Sequence, residues 1–250
     1  MSDFLDNILS IPILLEFVAA LAATFSYIKI KELKTETFKF LCIYLWIVVS
    51  IEVLGSYSYL ICPYKFDELP FFVNHLEWIK NYWIFNISQA LGYIFYTWYF
   101  SKQFTSRKNK DFIKYAIIIF NVITIADFIF GGIFFIGYSQ LMNLSGLILI
   151  VTALSMYYYE IIKSDRILNI TYTLPFYISV GVLLYFVSIT PLFLSSQYIK
   201  KEEIVFLKYY RLILSYANYF LYGIIIFGIV KCYWFKKLQS KKLSLSSTLS

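Results

Sequence analysis

Glu52 sits in the stretch VVSIEVLG, a single carboxylate inside an aliphatic run. Glu16 in LLEFVAAL and Asp127 in TIADFIF repeat the arrangement, and Arg211 in YYRLILS places one positive charge in a similar setting. Neighbouring apolar runs carry Asn86 and Gln89 (IFNISQAL), Asn143 (LMNLSG), and Ser215 and Asn218 (LSYANYF). Such side chains can hold a proton, pair charges or hydrogen-bond a small polar ligand. A charge at the centre of a membrane helix costs about 2.5–3.5 kcal/mol on insertion scales, so each must be paired, hydrated or neutralised. Arg211 is expected to pair with one acid or bridge two. Burial disfavours a charged carboxyl, so Glu52 is expected to be protonated and hydrogen-bonded.

Helical spacing gathers these residues into stripes, because positions three and four apart share a face. Glu52, Gly55, Ser56 and Tyr59 form one stripe; Tyr82, Asn86, Gln89, Tyr93 and Tyr96 form another; Arg211, Ser215, Asn218 and Tyr222 form a third. Ala20, Ala23 and Thr24 lie below Glu16, a small-residue surface suited to close helix packing. The expected ligand-pocket residues are Glu16, Glu52, Asn86, Gln89, Asp127, Arg211, Ser215 and Asn218. Glu160 beside Lys163 reads instead as an ion pair at a helix end.

Catalytic signatures are missing. There is no HExxH, GxSxG, P-loop or GxGxxG pattern. The one histidine, His75, lies near Asp67, Glu68 and Glu77, but it has no second nitrogen or sulfur ligand, so no metal site is expected. Cys42, Cys62 and Cys232 have no metal-type spacing and no disulfide framework. No cofactor is expected, and nothing argues for an enzyme.

The elements that carry these residues follow from composition. The chain is 60% hydrophobic, 22% aromatic and 15% charged over 250 residues, against about 25% charged for an ordinary soluble domain. Its apolar runs are continuous rather than alternating, which excludes a β-barrel and predicts an all-α polytopic membrane protein. Seven transmembrane helices are expected near 8–28, 39–62, 82–101, 113–137, 139–162, 172–195 and 207–230. The fourth and fifth must be separate. A single helix over that stretch would be roughly 67 Å long, about twice the bilayer core. GGIFFIGYSQ supplies the turn. Residues 1–237 are read as one seven-helix bundle and 238–250 as a disordered basic, Ser-rich cytoplasmic tail. The N-terminal MSDFLDNILSIPILLEF lacks the basic region of a cleavable signal.

Charge orients the bundle. With the N-terminus outside and the C-terminus cytoplasmic, sixteen of 22 basic residues fall on the inner side, while ten of 15 acids fall on the outer side. The net charge of +7 is then a topology signal and an attraction to anionic headgroups, not a nucleic-acid footprint. Counting depth at about 1.5 Å per residue puts the polar residues in the outer half or near the midplane.

The order of an SIE-type acid in helix two, then NYWIFNISQALGYIFYTWYF, then YYYEIIKSDRI and LPFYISVGVLLYF resembles a broad set of seven-helix membrane proteins of Bacteroidetes-type bacteria. The set often has tryptophan after the proline–phenylalanine pair, where this chain has Tyr177. The resemblance implies a bacterial inner (plasma) membrane and no particular activity. Retinal chemistry is excluded, since Leu212–Val230 has no lysine; WYFSKQF and NYFLYG also depart from the DRY and NPxxY motifs of G-protein-coupled receptors.

The expectation is a sensor or receptor-like protein. An outward-facing polar pocket would take a small ligand or proton, and a partner protein would dock on basic inner loops such as KQFTSRKNKDFIK. A small proton-coupled transporter and an accessory subunit of a membrane complex are the alternatives. The nearly all-apolar inner halves of helices two, four and six favour the sensor.

Overall fold

The computed structural model describes residues 11–30, 34–57, 80–195 and 204–247. Within them lie α1 (Ile11–Lys29), α2 (Glu36–Gly55), α3 (Tyr82–Ser101), α4 (Arg107–Phe130), α5 (Gln140–Ile162), a 3₁₀ helix (Asp165–Tyr172), α6 (Leu174–Ser195) and α7 (Ile204–Ser247), with no strand among the described residues. Six of the α-helices are long and apolar enough to cross a membrane. The remaining one, α3, has no charged residue, but its tyrosines, tryptophans and amides lower its hydropathy. The architecture is that of a helical, multi-pass membrane protein. Its surface agrees: Tyr115, Ile119, Val122, Ile129 and Phe130 of α4 are all exposed, as a lipid-facing helix requires.

Side-chain caps mark where helices begin. Thr35 accepts a hydrogen bond from the Phe38 amide at 3.2 Å, and Ser139 from the Met142 amide at 3.0 Å. The α4 helix starts at Arg107, earlier than hydropathy predicts, because a charged first turn still forms helix when Ser106 caps it. It ends at Phe130, before Gly131 and Gly132, the latter at φ 63°. The α7 helix runs on to Ser247, into the stretch expected to be disordered. No glycine or proline follows Gly228 to stop it.

Helices α1, α2, α3, α5, α6 and α7 close a ring in which each packs on the next, and α4 lies outside against α3 and α5. Small residues permit the close approaches. Ala19, Ala20 and Ala23 of α1 are fully buried, and Thr24 there accepts the Trp46 indole of α2 at 3.0 Å. A Cβ on Gly146 of α5 would run into the Tyr93 ring of α3, and one on Gly181 of α6 would sit 2.5 Å from Ile224 of α7. The ring interior is aromatic: Tyr44 stacks on Phe95 at 3.9 Å and Tyr93 on Phe186 at 4.3 Å.

Successive helices run antiparallel, so one end of the bundle collects the starts of α1, α3, α5 and α7 with the ends of α2, α4 and α6. At that end Asn81 donates to the Gly55 carbonyl at 3.0 Å, and Gln140 to the Leu194 carbonyl at 2.7 Å. At the opposite end Glu160 joins α5 to the start of α4, where it accepts from the Thr105 amide at 2.6 Å, the Thr105 hydroxyl at 2.8 Å and Asn109 Nδ2 at 2.7 Å. Its cationic partner is Arg166 at 3.8 Å rather than Lys163, whose ammonium lies over the Tyr159 ring. Backbone donors at a helix start fix a carboxylate better than a flexible lysine one turn away.

Candidate functional site

A cavity of about 340 Å³ opens at the end that gathers the start of α1. Glu16 of α1 and Glu52 of α2 line it, with Gln89 of α3, Tyr185 of α6, and Ser215 and Asn218 of α7. Rings and aliphatic groups form the other walls, among them Phe85, Tyr138, Phe193, Ile13 and Leu214. Glu16 lies about 7.5 Å along α1 from its start, and Glu52 about 4.5 Å from the end of α2, at 1.5 Å per residue. Both therefore belong to the same half of the bundle.

Beneath this cavity is a smaller one of about 40 Å³, which shares Glu16, Glu52, Phe85, Gln89, Tyr185 and Asn218 and adds Tyr44, Tyr96 and Tyr222. The aromatic layer closes it further in. Tyr44 meets Tyr96 edge-on at 5.2 Å, and Tyr96 meets Phe186 at 6.2 Å. The two acids stand above this floor.

Their hydrogen bonding differs from an ordinary packed core. Glu16 is only 2% exposed, and its Oε2 has no hydrogen-bond partner among the described residues. Buried polar groups are nearly always satisfied, so an orphan carboxylate oxygen facing a cavity needs a reason. Glu52 is half-buried, and Gln89 donates to the Tyr185 hydroxyl at 3.5 Å, a long contact that leaves the amide little constrained.

Three of the eight expected residues lie elsewhere. Asn86 is fully buried and organises the turn between α4 and α5, donating to the Phe134 and Gly137 carbonyls at 3.0 and 2.9 Å and accepting from the Ser139 amide at 3.3 Å. Asp127 accepts from the Ser139 hydroxyl and so joins the end of α4 to the start of α5. Arg211 is exposed on α7 and makes no ion pair among the described residues, so the expected pairing with a buried acid is not formed there. A stripe four residues apart drifts round the helix, and the Arg211 end points out of the ring while Ser215 and Asn218 point in. Asn143 bonds Tyr93 at 3.3 Å inside the α3–α5 interface.

Tyr138 and Tyr185 were not anticipated. Tyr185 was legible as the one hydroxyl in the apolar run VGVLLYF, whereas Tyr138 reaches the cavity from a turn that has no periodicity to read. His75, Cys62 and Tyr59 lie outside the described residues. Cys42 and Cys232 are buried, Cys232 donating to the Tyr172 carbonyl at 3.4 Å, and no group of three metal-ligating side chains occurs among the described residues.

Fold and cavity together define a helical multi-pass membrane protein with two carboxylates facing one cavity. No protein-family model, curated protein or solved structure matches this chain.

Proposed function

We propose that this is a seven-span inner-membrane protein of bacterial type, N-terminus outside and C-terminus cytoplasmic, that acts as a sensor for a small ligand or proton. The observation that carries the reading is the pair Glu16 and Glu52, from different helices, facing one cavity above an aromatic floor. The outward bias of acids and inward bias of basic residues supports an outside position for the cavity end. A volume of about 340 Å³ falls in the range of small-molecule sites, about 300–1,000 Å³. The mixture of apolar walls with a few convergent polar groups is also usual for such sites. Occupancy would draw α1, α2, α3, α6 and α7 together, and the signal would pass to a partner at the basic inner end, where Arg107, Lys108 and Lys110 open α4.

A transporter reading has one observation of its own. The phenols of Tyr96 and Tyr222 extend the polar lining inward beneath the two acids. Flux into proteoliposomes separates the two readings.

The test is thermal stability of purified protein across a metabolite library and a pH series, with wild type beside Glu52→Gln. A compound or pH step that stabilises wild type alone is the expected result. Identical, ligand-blind curves would make Glu52 a helix staple and end the sensor reading.

A further inference from the structure

We infer that the cavity takes a small organic amine, its ammonium group held between Glu16 and Glu52 and its carbon body against the apolar wall. The inference rests on the cavity being a binding site and adds the ligand's chemistry. Among the described residues the lining contains two carboxylates and no lysine, arginine or histidine. The nearby cation, Arg211, is exposed on α7 and outside the lining. Among the described residues nothing in the lining therefore balances the acids, and none donates to Oε2 of the nearly fully buried Glu16. An ammonium group supplies both the missing charge and the missing hydrogens.

The remaining walls select among cations. No trio of His, Cys, Asp or Glu side chains, such as a zinc site collects, occurs among the described residues. Phe85, Tyr138, Tyr185 and Phe193 instead present rings, whose faces attract organic cations and whose area suits a carbon body. Ile13 and Leu214 extend the same apolar wall. Serine and amide groups from Ser215, Asn218 and Gln89 can accept the remaining ammonium hydrogens.

Benzylamine and putrescine are suitable probes, with benzyl alcohol and benzoate as neutral and anionic controls of matched shape. Full-length protein in nanodiscs is expected to melt several degrees higher with at least one of the amines and to ignore both controls. Glu16→Gln and Glu52→Gln should each weaken the amine's apparent affinity by about tenfold or more, as loss of a charge-assisted hydrogen bond implies. Leu214→Trp keeps both acids but fills the cavity, and should abolish the shift if either glutamine variant fails to fold. An amine shift that survives all three variants, or an equal shift from benzyl alcohol, overturns the inference. If a neutral or anionic compound stabilises wild type but not Glu52→Gln, the amine assignment falls and the binding site stands. If no compound in the library stabilises the protein, both fall.

Discussion

Single residues in this bundle divide by whether their polar atoms are spoken for. Asn86 uses its amide fully, with two carbonyls and one backbone amide of the α4–α5 turn as partners. Glu16 leaves an oxygen without a partner among the described residues. The first pattern belongs to packing and the second to a site, since an unsatisfied buried group persists only where something offsets its cost. Asn86→Ala should therefore destabilise the protein by about 2–3 kcal/mol, because it strands buried carbonyls. Chemical or thermal denaturation in detergent measures that loss. Ligand-induced stabilisation, measured on the same samples, should survive in the variant.

Among the elements, α4 depends most on a neighbour. It lies outside the ring, packs chiefly on α3 and α5, and exposes much of its length to lipid. Its start is held by Glu160 of α5, which accepts from Thr105, Ser106 and Asn109 and lies 3.8 Å from Arg166. Four unsatisfied amides at a helix start make such an acceptor valuable, and the helix dipole adds to it. Glu160→Ala should loosen the first turn of α4 and cost about 1–3 kcal/mol. Glu160→Gln, which keeps one acceptor, should cost less. Hydrogen exchange at residues 107–111 reads the change directly, and unchanged protection there would rule out the capping role. The proposed output passes through this end, so loosening it should weaken partner docking before it affects ligand binding.

For the molecule as a whole, the closed ring explains how costly side chains reach membrane depth. Five helices each contribute to one cavity, and Tyr138 of the α4–α5 turn joins its lining. The proposed orientation is directly testable. A fluorescent protein fused after Ser250 should fold and fluoresce in the cytoplasm, and a periplasm-active phosphatase fused there should stay inactive. An epitope at the N-terminus should be cut by protease added outside spheroplasts. The reverse pattern would turn the cavity towards the cytoplasm and remove the outside ligand from the proposal.

Helix positions were legible in the sequence because lipid imposes a simple rule: continuous apolar length. The predicted spans 82–101, 139–162 and 172–195 lie within two residues of α3, α5 and α6 at each end. The start of α4 was less legible, because its first turn is charged and is held by the Ser106 cap and by Glu160 of another helix rather than by hydropathy. Polar residues in apolar runs could be listed from sequence, and their depth estimated. Whether each pointed into one cavity depended on rotation about its helix axis, which the packing of Gly146 on Tyr93 and Gly181 on Ile224 sets. Glu16, Glu52, Gln89, Ser215 and Asn218 thus came together, while Asn86 and Asp127 were taken up by the α4–α5 turn and Arg211 faced outward. Hydropathy is a property of each segment alone. Convergence on a cavity is a property of all the helix contacts at once, and only the tertiary structure decides it.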